Sequence, residues 1–555
     1  MKTKTKGIIF FALVAGIMLA SGITIAIPGK EIDDADIAES VEDVEGDTIV
    51  SLDIGSGYSD DEKLQHCSAN ENAKSNDFVR EYKIPTECVQ PLAITTDPNG
   101  TVWFAQTNTG NIAKFDPATE TFTEYMNAKW IDAETRYKQK LRSMMWGMDY
   151  SPDGAIWYTD EASDSIWRFS IPDETYNRID FPIKEDISSL PQKLLIDGSN
   201  VIVNDFTGGK LTIFGYSQLG ELSYAAIPSP LDGFTGDFAI DSEDNIWYTN
   251  WETSNAVSGQ SYPDGTGILI KFDHKKWESQ LSISSQADSL LLQDFVQFFQ
   301  FPSGMTTPNG IAIGPNQIIW IVDTTSSYFF SFDPVTEEFT KYVTSVPTID
   351  SYGNASGFIK SPISRPYWIE HSGDNLVMNE QTANRIGVFN PSTETLVEYT
   401  VPSRNPNWSD CEGIEYCGVA QVFDFAIDGK KIWFTEWVEN NIGVVDTSIP
   451  LPFSIDIDTQ SITLEKGQTA NVTLYVTSTT SNLTDSITVN SSTTSLFSDI
   501  VVTSESMELY LDDGSKTIPI QITAGEDALS ATHKVLLGVY NNDIAVSQFI
   551  TVTIV

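Results

Sequence analysis

From Ile94 onward the chain alternates short apolar runs with turns of Asp, Gly and Asn, in a unit that recurs seven times. Ile94 opens ITTDPNGTVWFAQTNTGNIAKFDPATETFTEY, and Met148 opens MDYSPDGAIWYTDEASDSIWRFSIPDETYNRIDFP. The theme returns near Leu194, Phe238, Ile311, Ile369 and Phe425. Each copy reads as strand, turn, aromatic strand, polar turn, third strand and fourth strand, and the turn residues tolerate the positive φ of tight hairpins. Four short strands in a unit of about 45 residues predict a propeller blade.

Fourth strands open at Phe78 (FVREYKIP), Thr121, Tyr176, Glu221, Val296, Glu338 and Leu396. The first precedes any complete repeat, and the last repeat stops after its third strand at IGVVD (Ile442 to Asp446). Ring closure follows: FVREYKIP supplies the outer strand of the last blade, which removes two open sheet edges. The expected fold is all-β, a seven-bladed β-propeller with the N-terminal strand closing blade seven. Trp103, Trp157, Trp247, Trp320 and Trp433, on second strands, are expected to wedge between blades. After residue 450 Trp disappears, and alternating Thr, Ser, Val and Ile strands predict an immunoglobulin-like β-sandwich. The expected domains are 1–27 signal peptide or signal anchor, 28–75 acidic flexible stalk, 76–450 propeller and 451–555 sandwich. With FVREYKIP running upward, stalk and sandwich are both expected to leave the bottom of the ring, so that the top faces away from the cell.

Composition adds an exclusion. The formal net charge of −45 argues against nucleic acid or an anionic membrane surface as partner. Lys2, Lys4 and Lys6 precede an apolar run from Gly7 to Ile27. Its 21 residues are long enough for a bilayer core at about 1.5 Å per residue, and its basic flank also fits a cleaved signal. Export is expected either way, to an extracellular or cell-surface location, secreted or anchored by that N-terminal helix. Cys67, Cys88, Cys411 and Cys417 suit an oxidising compartment, with three pairings open, the local Cys411–Cys417 bridge being the simplest. Sequons begin at Asn99, Asn354, Asn407, Asn471, Asn482 and Asn490.

The long insertions gather on the face reached by fourth-to-first and second-to-third strand connections, called the top: 126–145, 251–265, 343–364 and 403–419. Function resides on loops carried by a rigid scaffold, so the top is the candidate working face. The 126–145 segment has helical spacing at Trp130, Tyr137, Leu141 and Met145, and carries the basic cluster Lys129, Arg136, Lys138, Lys140 and Arg142. Trp130, Trp251, Trp408 and Trp437 are candidate platforms for a sugar ring. Three residues after each blade's Trp or its equivalent stand Gln106, Asp160, Asn204, Asn250, Asp323, Asn379 and Glu436. Asp160, Asp323 and Glu436 are the candidate metal ligands of that ring, whose oxygen chemistry suits Ca2+ or Mg2+; the competing reading is hydrogen bonding between blades.

The motifs IWFTEWVENNIGVVD (Ile432 to Asp446), TVWFAQTNTGNIAKFDPATETFTEY and NRIGVFNPSTETLVEYTVP resemble the virginiamycin B lyase, or streptogramin lyase, family over about 78–446. The resemblance implies a seven-bladed propeller, and for the lyases a magnesium-assisted elimination that opens a cyclic ester, using Pro-His motifs at the start of first strands in two late blades with nearby glutamates. Those histidines are replaced: Pro366 is followed by Tyr367, and the last blade has Phe423. None of the four histidines, His66, His274, His371 and His533, follows a proline. A tyrosine of reference pKa near 10 and a phenylalanine are poor substitutes for a histidine base. The leading expectation is a monomeric, non-catalytic binding module for a glycan, peptide or envelope protein, with Tyr367 beside the tryptophans in the ligand set. The alternatives are a lyase or hydrolase with a relocated metal-assisted site, and a structural component of the envelope.

Overall fold

In the computed structural model the described residues are 59–131, 144–181, 190–206, 209–216, 222–228, 234–251, 267–283, 294–355, 362–479, 486–495, 498–504, 508–510 and 514–555. The expected N-terminal apolar run, the basic residues 136–142 and the insertion 252–265 lie outside them.

The described chain is all-β, built from four-stranded antiparallel sheets consistent with a β-propeller. Six sheets are simple meanders beginning at Pro91, Met148, Pro191, Phe234, Pro308 and Pro366, and are numbered one to six in that order. Sheet seven consists of Val422–Asp428, Lys431–Glu436, Asn441–Asp446 and the far N-terminal strand Val79–Lys83, paired antiparallel with Val79 opposite Val445 and Lys83 opposite Asn441. The alternation FVREYK thus completes the edge that the last repeat leaves open.

Neighbouring sheets are tied by a recurrent polar position on the second strand. Thr159 Oγ1 donates to Gln192 O (2.9 Å), Asn204 Nδ2 to Gly236 O (2.8 Å), Asn379 Nδ2 to Val422 O (2.8 Å) and Thr435 Oγ1 to Leu92 O (2.6 Å). These bonds link sheet two to three, three to four, six to seven and seven back to one, and satisfy carbonyls that the inner strands leave unpaired. The approach requires glycine: a Cβ on Gly147 would lie 2.4 Å from Gln192 O and 2.6 Å from Leu194 N, both backbone atoms. Gly147→Ala is therefore expected to lower stability by about 1–3 kcal/mol, since backbone on both sides must move; a denaturant midpoint equal to that of the wild type would contradict it.

The stalk expectation needs correction over residues 59–75. Ser59 caps the helix Asp60–His66 in a reciprocal capping box with Glu62, and Cys67 is bonded to Cys88. Asn405 Nδ2 donates to Leu64 O (3.0 Å), Trp408 Nε1 to Gln65 O (2.7 Å), and Ser68, Ala69 and Asn70 all donate to the Glu439 carboxylate. Cys88 and the second disulfide, Cys411–Cys417, lie in top connections. The segment therefore crosses the top of sheet seven before descending to Asn76 and returning as the closure strand. Acidity suggested a solvated tether, but satisfied polar contacts and a covalent link outweigh charge. Residues 59–70 therefore lie at the top of sheet seven, where the expectation had this segment leaving from the bottom, and the outward top inferred from that exit loses its premise.

The described residues beyond Asp446 form two facing sheets. One is Phe453–Ile457, Thr469–Ser478, Ser515–Ala524 and Ile500–Ser504; the other contains Ser461–Leu464, Ile544–Ile554, Thr532–Tyr540, Ser486–Thr493 and Glu508–Tyr510. Val472, Leu474 and Val476 meet Val535, Leu537, Ile550 and Val552 in one core. The second sheet does not end at its own edge: Ile544–Ile554 pairs with Thr395–Thr400, the outer strand of sheet six, Leu396 opposite Ser547. Phe549 packs edge-on against Tyr342, and Lys534 reaches Glu394 at 2.5 Å.

Candidate functional site

Three features among the described residues are candidates for a site. The first is the ring at the ends of the second strands. Strand pairing sets Gln106 opposite Pro91, Asp205 opposite Pro191, Asp323 opposite Pro308, Glu380 opposite Pro366 and Glu436 opposite Val422. The equivalents in sheets three and six are thus Asp205 and Glu380, not Asn204 and Asn379, which belong to the intersheet position already described. Lacking a Trp, these two sheets gave no anchor for the register; aligning VND and MNE on FTE of sheet seven would have found it.

The members are committed within their own surroundings. Asp160 Oδ2 accepts from Trp130 Nε1 (2.9 Å) and Trp167 Nε1 (3.0 Å). Asp323 accepts from Thr307 N (2.8 Å) and Ser326 Oγ (2.7 Å). Glu436 accepts from Asn441 Nδ2 (2.8 Å) and meets Glu81. Asp160, Asp323 and Glu436 are not brought together, and among the described residues no group of three or more His, Cys, Asp or Glu is disposed to hold a metal ion.

The second feature is an aromatic cluster at the top. Trp146 stacks on Tyr367, centroids 5.9 Å apart and planes at 14°, and meets Phe423 edge-on at 5.6 Å. Phe423 contacts Trp437 at 5.6 Å, Trp437 contacts Trp408 at 5.5 Å, and His66 closes the chain edge-on to Trp408 at 5.6 Å. Burial pushes the Tyr367 phenol above its ordinary range, so it is no base near neutrality. The proposed platforms fare unevenly. Trp437, at 2% exposure, and Trp251, at 6%, are core residues, the latter donating to Pro308 O. Trp130 and Trp408 are half-buried with their indole N–H groups spent on Asp160 and Gln65. An indole wedged between sheets gains more from packing than from water, which is why residue type alone misplaces it. Of the 126–145 segment, only Ala128–Ile131 is helical among the described residues, and Lys129 Nζ donates to Tyr176 O at 2.6 Å.

The third feature was not anticipated. Lys193, on the first strand of sheet three, makes a 3.1 Å ion pair with Asp424 on the first strand of sheet seven and lies 4.6 Å from the Trp368 ring centroid. Asp237 and Glu370 add to its field. Burial alone would lower the Lys193 pKa, but Asp424, Asp237 and Glu370 reverse that and hold it above its ordinary value. Burial raises Asp237 to about 6 and Glu370 to about 7, in each case against the pull of Lys193. Asp424 also accepts from Ile94 N (3.1 Å), Asp149 from Ile196 N (2.8 Å) and Asp237 from Ile311 N (3.3 Å), so these three aspartates bridge adjacent first strands. A lone lysine in a run such as LPQKLLID carries no signal of this role; it emerges only when distant first strands converge.

Solved structures of virginiamycin B lyase are similar to this chain. The enzyme from Staphylococcus aureus shares 18% identity over 66% of this chain and 98% of its own, with a TM-score of 0.47. A streptogramin B lyase structure shares 16% identity over 66% and 96%, with a TM-score of 0.47. A putative 6-phosphogluconolactonase from Bacteroides fragilis shares 13% identity over 62% and 86%, with a TM-score of 0.38. No family model and no curated protein matches the chain.

Proposed function

We propose that this chain is an exported surface protein in which a closed, seven-bladed propeller serves as a non-catalytic binding module, carried with an immunoglobulin-like sandwich. One observation supports the reading above the others. The top of the axis, where the resembled lyases place their histidines, is packed with Trp146, Tyr367, Phe423 and Trp437, none of which transfers a proton near neutral pH. The two disulfides are compatible with an extracellular location; among the described residues no helix is long and apolar enough to cross a membrane. Because the segment 59–70 covers sheet seven, the binding surface is assigned to the remaining top connections, and a neutral glycan or peptide of the cell envelope is the partner class.

The test is a purified ectodomain in two assays. Saturable binding to envelope glycans or peptides, with no magnesium-dependent linearisation of a cyclic depsipeptide, is the expected result. Linearisation that is lost in His66→Ala would replace the binding reading with the lyase alternative. That alternative draws on one feature, His66, which the N-terminal helix delivers beside Trp408 and Trp437.

A further inference from the structure

Sheets one, six and seven repeat a single polar arrangement that strand patterning does not reveal. In sheet six, Glu398 on the fourth strand accepts from Ser345 N (3.0 Å) and from Ser345 Oγ, while Arg385 Nη1 stands 3.6 Å from it. In sheet seven, Glu81 on the closure strand accepts from Ser403 N (2.8 Å), Ser403 Oγ (2.6 Å) and Lys74 N (2.8 Å). In sheet one, Glu124 accepts from Thr86 Oγ1 (2.6 Å). Each hydroxyl residue comes from the top connection that enters the sheet, so each glutamate ties a loop to an outer strand.

Every one of these glutamates also meets the last residue of its sheet's second strand. In sheet one that residue is Gln106, whose Nε2 donates to Glu124 Oε1 at 2.6 Å. In sheets six and seven it is a second glutamate, Glu380 or Glu436, fully buried and set beside Glu398 or Glu81. Ionised, Glu380 would have two buried oxygens without a donor, and Glu436 one; a proton on either carboxyl supplies the missing bond. Gly387 leaves the room for this meeting, since a Cβ there would stand 3.0 Å from Glu380 Oε1. Glutamine is the uncharged isostere of a protonated glutamic acid, so sheet one contains the neutral form of the same device.

We propose that Glu380–Glu398 and Glu81–Glu436 are proton-locked staples, each sharing one proton, that make the top connections of sheets six and seven and the ring-closing strand sensitive to pH. The charged groups around them are Arg385 and, farther out, Arg404 for sheet six, and Lys83, Glu439 and Arg404 for sheet seven. Arg385 offsets the remaining charge in sheet six. In sheet seven the pair has Asn441 in the corresponding place, and Lys83 is spent on Ser68 Oγ and the carbonyls of Asn70 and Glu439. Burial first, and then the partner carboxylate, raises both Glu380 and Glu436. The folded chain therefore holds protons that the unfolded chain releases above about pH 4.5, and stability falls as pH rises from there toward the folded pKa.

The experiment compares the full chain with Glu380→Gln, Glu436→Gln and the double variant by denaturant unfolding from pH 5 to pH 9. The expected result is that the folding equilibrium moves in favour of each Gln variant by up to about tenfold per pH unit over that window. The infrared band of a protonated carboxyl should persist at pH 7 in the wild type and diminish with each substitution. The reciprocal variant Gln106→Glu should acquire a new pH dependence of the same sign. Gln variants that unfold more readily at pH 6, a double variant with the wild-type pH profile, or the absence of a protonated-carboxyl band at pH 7 would each overturn the proposal.

Discussion

Lys193→Met should be the most damaging single substitution on the axis, costing about 3–5 kcal/mol at pH 8. The magnitude follows from removing one partner of a buried ion pair, which leaves the other charges uncompensated. Asp424 loses its 3.1 Å partner, and Asp237 and Glu370 lose the ammonium that offsets their burial. Only 15% of the Lys193 side-chain surface is accessible, so solvent cannot substitute. The pH dependence has a definite sign. Asp237, at about 6, and Glu370, at about 7, bind protons more tightly folded than unfolded. The contribution of these two groups to stability therefore falls between about pH 4 and pH 7 even in the wild type. Without Lys193 these carboxyls rise further, so the deficit should be small near pH 5 and grow toward pH 8. Denaturant midpoints for both proteins at the two pH values check this; equal deficits at pH 5 and pH 8 would show that Lys193 acts through packing against Trp368 and not through charge.

The second large effect concerns the closure strand. A chain beginning at Ser59 should fold as the full chain does, whereas one beginning at Glu87 should be largely insoluble. The shorter chain loses Val79–Lys83, which exposes every unpaired group along Asn441–Asp446, and it removes Phe78 and Val79 from the core they share with Tyr399 and Val445. It also removes Glu81, so Ser403 and Glu436 lose their partner. Soluble yield and near-UV circular dichroism decide the matter: a soluble Glu87 chain with wild-type aromatic signals would mean that three strands of sheet seven suffice.

The all-β repeat, its four-strand unit and the pairing of the first strand with the last were legible because they depend on a period. Apolar alternation and Asp/Gly/Asn turns recur in every copy, and FVREYKIP stands out as a fourth strand without a blade. What failed did so where period gives no information. Asp205 and Glu380 were displaced by one residue because sheets three and six lack the Trp that sets the register elsewhere. Residues 59–75 read as solvated because composition is blind to a capping box and a disulfide. The tryptophans read as platforms because their indoles look alike in sequence whether they face solvent or a neighbouring sheet.

The division has a physical basis. Local alternation and turn chemistry act between residues a few positions apart, and they determined strands, turns and the unit of repetition from the sequence alone. The ion pair of Lys193 with Asp424, the stack of Trp146 on Tyr367, the two carboxyl pairs and the seam between sheet six and the C-terminal sheets join residues up to 355 positions apart. Such contacts exist only after the sheets have packed, because the desolvation that shifts a pKa or orients a ring is supplied by neighbours from elsewhere in the chain. Tertiary structure therefore decided the chemistry of the axis, and with it which of the candidate residues face one another.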